Sequence, residues 1–241
     1  MKTKLKSFYK KIDKTHPVIG SLMRRIHIGK LFNNVRRRIR GSGNTITSKS
    51  AILSNVTFDI DGNNNTIEIK EGCVLSNLTF YIRGDNHTLL IMSHCTYQKG
   101  LIWFEDENCS LVIGERSTFA DVHLALTEPG SKIYIGQDCM FSTDIDVRTG
   151  DSHSIISRET GARINYAQNV FIGDHVWIAA HSVLLKGTKI AQDSIVASGS
   201  VVTRKFETPG IIIGGNPSIQ IREGITWSRE RISRKSADEP Q

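Results

Sequence analysis

His153 stands between two serines in the run Thr149-Gly150-Asp151-Ser152-His153-Ser154-Ile155, which has no apolar rhythm of its own. An imidazole changes charge near neutral pH. A positioned loop histidine can therefore take a proton from a weak nucleophile and return it later. The plainer alternative is an ordinary loop histidine. A general base needs its second nitrogen oriented, and Asp144, Asp146 and Asp151 are the carboxylates within reach along the chain. Asp146 is the first choice among them. Trp177 closes the run Ile172-Gly173-Asp174-His175-Val176-Trp177. An indole N–H only donates, so it suits an acceptor oxygen or a developing oxyanion; the alternative is packing at a subunit contact. His175 and His181 join His153 to make three imidazoles in this stretch.

These groups need a rigid support, and the sequence supplies a repeat. Ala51, Cys73, Cys95, Ser117 and Cys139 are spaced by 22 residues, and a fixed period near 20 marks a solenoid. Ile69, Ile91, Ile113 and Ile135 keep the same step, as do Ile67, Leu89, Leu111 and Ile133. Asn64, Asn86, Asn108 and Gly130 form another column. Asn and Gly adopt left-handed backbone most cheaply, so this column predicts a recurring corner. Each coil also carries an alternating strand: Val56-Phe58-Ile60, Leu78-Phe80-Ile82, Ile102-Phe104, Val122-Leu124-Leu126. One side of each faces a core and the other water. In the fifth coil Asp144, Asp146 and Arg148 take the apolar positions, with Ile145 and Val147 between them. That pattern predicts a one-residue slip that turns the polar set outward. From Ile135 to Ile172 is 37 residues, one coil plus 15 inserted, and beyond it the step shortens to 18, or three hexads.

A chain of 241 residues, 39% of them apolar, suits one domain or one domain with an appendage. No apolar stretch approaches the roughly 20 residues of a membrane span. No n-region, h-region and cleavage site stand in order, so no secretory signal is expected. The cysteine column alternates with Ala51 and Ser117, so it calls for a small side chain. Free buried thiols in a reducing compartment are expected, and no Cys-x-x-Cys metal spacing occurs. The Asn-x-Ser/Thr triplets at Asn55, Asn64, Asn77, Asn86 and Asn108 read as turn chemistry.

Charge is unevenly placed. Residues 1–40 hold 13 Lys or Arg against Asp13, a balance of +12, and the remainder sums to −5. Leu5, Phe8 and Ile12, then Leu22, Ile26, Leu31, Val35 and Ile39, fall at helical spacings on either side of Pro17 and Gly20. They predict a basic α-helical segment over 1–40. Such an arm would cap the solenoid's open end, draw the protein to an anionic membrane or polyanion, or do both. No nucleic-acid reader motif accompanies it, and aromatics are 7%, so nucleic acid is not an expected partner. The predicted division is the basic segment 1–40, a parallel β-helix over 41–221 with an insert at about 150–168, and a tail over 222–241. The part after Trp227 is expected to be disordered.

From Asp146 to Trp227 the chain resembles the hexapeptide-repeat acyltransferases. The matching segments are Asp146-Val147-Arg148-Thr149-Gly150-Asp151-Ser152-His153-Ser154-Ile155, Asn169-Val170-Phe171-Ile172-Gly173-Asp174-His175-Val176-Trp177-Ile178, Ala197-Ser198-Gly199-Ser200-Val201-Val202-Thr203 and Gly214-Gly215-Asn216-Pro217. They come in the order the family uses. The spacing of His153 and Trp177 is similar to that in the branch that O-acetylates bacterial capsular and other cell-surface polysaccharides. The resemblance implies an all-β solenoid, a left-handed parallel β-helix, whereas crossover physics alone favours the right hand.

The resemblance also implies an activity: an acetyl-CoA-dependent O-acetyltransferase acting on a polysaccharide hydroxyl. His153 would be the base and Trp177 the donor to an acceptor oxygen or oxyanion, with direct transfer and no acyl-enzyme. Family members are commonly homotrimers, with acetyl-CoA along the last coils between subunits. Gly173, Ala179, Ala180, Ser198, Gly199 and Lys205 match positions lining that groove. Small Ala179, Ala180, Ser198 and Gly199 leave room for the pantetheine arm, though tight corners call for small residues too. Lys186, Arg204 and Lys205 suit the CoA phosphates. The zinc-dependent γ-carbonic anhydrases share the fold with three His ligands. The spacing of 22 then 6 among His153, His175 and His181 does not reproduce their close pair, so no metal is expected. Two rivals stand beside this reading: N-acetylation of an amino sugar nucleotide, and a catalytically silent trimeric scaffold. The expected location is cytoplasmic, peripheral at the inner face of the membrane if the arm binds there.

Overall fold

The computed structural model describes residues 34–48 and 50–233. Every regular element among them is a β-strand. Each coil contributes one strand to each of three faces, and successive coils stack their strands in parallel. The first face has eight strands, from Val35–Arg40 through Val122–Leu126 and Ile145–Arg148 to Val201–Val202. The second also has eight, from Thr45–Thr47 through Val170–Ile172 to Lys205–Phe206. The third has nine and includes Met140–Phe141, Trp177–Ile178 and Ile195–Val196. Its outermost strand, Ser218–Arg222, folds back antiparallel on Ile212–Gly215.

The columns read from the sequence are the columns of the core. Cys73, Cys95, Ser117 and Cys139 are all buried, and the four cysteines are free. Burial pushes the Cys139 thiol up to about 12. Ile69 pairs with Ile91 and Ile91 with Ile113. Ile135 pairs directly with Ile172, so the insert leaves the ladder's register intact. The 22-residue coils are wide enough to stack aromatic rings. Tyr97, Phe119 and Phe141 lie face to face with centroids 4.7 Å apart at each step. Truncation of Phe119 to Ala leaves a void inside two closed coils that cannot collapse. We expect a loss of about 3–5 kcal/mol, checked by chemical denaturation.

The slip in the fifth coil is real. Val122 pairs with Ile145 and Leu124 with Val147, an offset one residue longer than the step before it. Ile145 and Val147 are buried, and Asp146 and Arg148 face outward. The predicted corner column holds too: Asn64, Asn86 and Asn108 have φ of 56°, 59° and 57°. A second column of the same kind contains Asp138, His175 and Asp193 at 53°, 52° and 61°. Asn55 and Asn77, left out of the predicted column, are left-handed corners as well.

Two expectations are corrected. Val35–Arg40 is a strand rather than the end of a helix, pairing Val35 with Val56 and Ile39 with Ile60. A spacing of four is even, so it satisfies the two-residue period of a strand as well as a helical face. The rest of the predicted basic helix lies outside the described residues. The segment after Trp227 is also ordered at its start, where Arg229 bonds to Asp138 and Thr118.

Candidate active site

The insert leaves the solenoid at the corner between the first and second faces. Thr149 is buried there and exchanges hydrogen bonds with Thr127 one coil below, at 3.0 and 3.2 Å. The loop forms a short hairpin, with Ile156 opposite Arg163 and Ile164 N donating to Ile155 O at 2.9 Å. Its clamp is buried Asn165. The Asn165 amide nitrogen donates to Asp151 Oδ2 at 2.9 Å and to the His153 carbonyl at 2.7 Å. Its oxygen accepts from Ile155 N at 2.7 Å. Arg163 grips Glu128 of the coil below, and Lys186 of the coil above reaches Asp151 and the Asn165 carbonyl. The loop is thus tied to the corner on both sides.

His153 is exposed on this braced loop. Its N–H donates to Asp151 O at 2.7 Å across Ser152, a non-glycine residue at φ 62°. Such a turn is held only where its surroundings over-determine it. Both main-chain contacts fix the loop and leave the imidazole without a hydrogen bond among the described residues. Burial raises the Asp151 pKa, but hydrogen bonds from Lys186 and Asn165 and the Lys186 and Arg163 charges outweigh it, leaving the group below its ordinary value. A depressed carboxylate stabilises the fold above its unfolded pKa and loses that contribution as pH falls through the folded one. The clamp should therefore persist through the ordinary aspartate range and open only below it. In Lys186→Met the opening should move to higher pH. Hydrogen exchange of residues 150–168 across an acid titration checks this.

The structure gives Asp146 neighbours other than His153. It stands on the outer side of the first face, bonded to Arg148 Nε at 2.7 Å with His123 Nδ1 at 3.6 Å. Burial holds the His123 pKa below its usual value despite the nearby carboxylate. The carboxylate within the His153 loop is that of Asp151, and it accepts from the Asn165 and Lys186 side chains. Asp144 pairs with His181 at 2.8 Å. His175 lies between Asp193 at 3.0 Å and Asp138 at 3.9 Å. Among the described residues no three His, Cys, Asp or Glu side chains are grouped as metal ligands.

Trp177 projects from the third face, between Met140 and Ile195 in the ladder, with Ile178 turned into the core. Below it a cavity of about 320 Å³ runs past Met140, Ser142, Thr118, Ala120 and Gln98. The corner that carries His153 lies across the three-sided coil from this face. One chain therefore holds the two groups on opposite sides of its own solenoid.

The residues matched to a donor groove fall on different corners. Ala179, Ala180, Ser198 and Gly199 are contiguous at the corner between the third and first faces. There Ser198 Oγ and Gly199 N both donate to Ala180 O. A side chain at Gly199 would meet nothing within 4 Å, so a small residue keeps this lane open. Gly173 is small for another reason: a Cβ there would come 2.7 Å from Gln192 N in the next coil. Lys186 is occupied by the insert. Lys205, on the second face, borders a separate cavity of about 490 Å³ with Phe171, Lys189 and Glu207.

Residues 169–204 match the bacterial transferase hexapeptide family (six repeats). A polysialic acid O-acetyltransferase of Neisseria meningitidis is 34% identical over 117 residues, 48% of this chain and 54% of that protein. One from Escherichia coli O1:K1 is 30% identical over 98 residues, 40% of this chain and 31% of that protein. The chain thus spans about half or less of the length of these curated relatives. The solved structure of the polySia-specific acetyltransferase NeuO superposes with a TM-score of 0.75 at 26% identity, covering 86% of this chain and 94% of that one. The polysialic acid O-acetyltransferase OatWY superposes at 0.65 and 26%, covering 86% and 96%. Residues 169–204 thus carry the hexapeptide repeat, and the described residues form a parallel β-helix that superposes on those of two polysialic acid O-acetyltransferases.

Proposed function

We propose that the protein transfers acetyl from acetyl-CoA to a hydroxyl of an acidic, sialic-acid-type capsular or surface polysaccharide. The observation that carries this is the near-complete superposition on NeuO, with His153 and Trp177 both presented outward. In this reading the His153 imidazole takes the hydroxyl proton as the sugar oxygen attacks the thioester carbonyl. The tetrahedral oxyanion, or the acceptor, is met by an indole N–H of Trp177. Collapse breaks the C–S bond, and the CoA sulfur leaves with the proton from the imidazolium. No acyl-enzyme forms.

Three copies around a closed threefold axis would bring the His153 corner of one against the Trp177 face of the next. The lane of Ala179, Ala180, Ser198 and Gly199 would take the pantetheine arm at the same junction. The arginines of Val35–Arg40, with the basic residues before them, suit an anionic polymer or an anionic inner-membrane surface. We place the enzyme on the cytoplasmic side, where acetyl-CoA is supplied. The test is incubation with labelled acetyl-CoA and a glycan panel. We expect label on a glycan oxygen of acidic polymers, with the polymer KM rising with salt. Label on an amine would favour amino-sugar N-acetylation, and neither transfer nor CoA binding would leave a scaffold.

A further inference from the structure

We propose that the segment Ile225–Arg229 is a strap that positions Trp177, with Trp227 as the positioning residue and Arg229 as its anchor. The proposal rests on the reading of Trp177 given above. After the terminal hairpin the chain turns back and descends one corner of the solenoid, that between the second and third faces. It bonds there to one left-handed corner residue after another. Ile225 N donates to Gly210 O at 2.9 Å, and Thr226 Oγ1 reaches Asp193 Oδ1 at 3.5 Å. Trp227 Nε1 donates to His175 O at 2.7 Å. Arg229 Nε donates to Asp138 Oδ1 at 3.1 Å. Gly210, Asp193, His175 and Asp138 all have positive φ and belong to four successive coils. The segment is therefore matched to the repeat rung by rung.

Trp227 is 8% exposed, the one buried aromatic of this tail. Its ring stacks on His175 at 4.2 Å and 9°, and lies 6.1 Å from the Trp177 ring at 49°. The Arg229 guanidinium lies over the Trp227 ring at 5.6 Å and also bonds Thr118 Oγ1 at 2.9 Å, a residue lining the cavity below Trp177. Trp177 sits on a two-residue strand between Met140 and Ile195, neither of which is aromatic. The strap supplies an aromatic neighbour to Trp177, which itself lines the cavity. A donor that meets an oxygen must be held in one orientation, and a displacement of about 1 Å can cost as much as 10²-fold in rate.

The test uses the full chain with Trp227→Ala, Trp227→Phe, Arg229→Met and Trp177→Ala. Two indoles this close give an exciton couplet in circular dichroism. It should be present in the parent, absent from Trp227→Ala and from Trp177→Ala, and weakened in Arg229→Met. Trp227→Ala should lower kcat/KM for the acceptor about tenfold or more while leaving the KM for acetyl-CoA within about twofold. Trp227→Phe keeps the stack and should recover most of that loss. A parent without the couplet, or Trp227→Ala with full activity where Trp177→Ala is inactive, overturns the strap alone. Full activity in Trp177→Ala overturns the reading on which it rests.

Discussion

His153→Ala should lower acetyl transfer by about 10²-fold or more while the solenoid stays folded. Loss of a general base costs roughly 10²–10⁴-fold. The fold should not notice, because the ring is exposed and the loop is held by the His153 main chain. Its N–H bonds Asp151 O and its carbonyl accepts from Asn165, and alanine keeps both. The melting temperature and the KM for acetyl-CoA should therefore match the parent, and the loss should fall on turnover. Added imidazole should return part of the activity to this variant alone. Near-normal turnover in His153→Ala would remove His153 from the chemistry. Chelators should leave the parent active; loss on chelation with recovery on adding zinc would point instead to a metal held by the imidazoles.

The solenoid was legible because a coil repeats its demands at fixed intervals. Each column position sees the same neighbour one coil away, so one substitution pattern recurs down the chain: small at Cys73 and Cys95, left-handed at Asn64 and Asn86. The slip at Ile145 and Val147 was readable for the same reason, since strand side chains alternate and parity alone decides what is buried. The site was harder because a solenoid scrambles sequence distance. Asp146 is near His153 along the chain, but its neighbour is His123, one coil below. Lys186 looked free for a phosphate and instead ties down a loop that ends 18 residues before it. Val35 and Ile39 fit two periods, and the pairing partner that chose between them, Val56–Ile60, lies in the next coil. The strap has no period at all. The available signal was a tryptophan standing alone in a charged tail.

The separation of His153 from Trp177 yields a prediction that no single-chain site would share. His153→Ala and Trp177→Ala should each be nearly inactive as homotrimers. Co-expressed in equal amounts under different tags, they should form mixed trimers that regain activity. In the proposed threefold ring every interface would be heterologous, joining the His153 corner of one chain to the Trp177 face of the next. A junction is intact when the chain offering its corner is the Trp177→Ala variant and the chain offering its face is the His153→Ala variant. Random assembly makes about a quarter of junctions of this kind. Purification through both tags removes the homotrimers and raises that share. The recovered activity should carry the parent's KM for acetyl-CoA, since the restored junctions have the parent's residues, and differ only in the number of active sites. A doubly tagged trimer as inactive as either parent variant would mean that the two residues do not act across a subunit boundary.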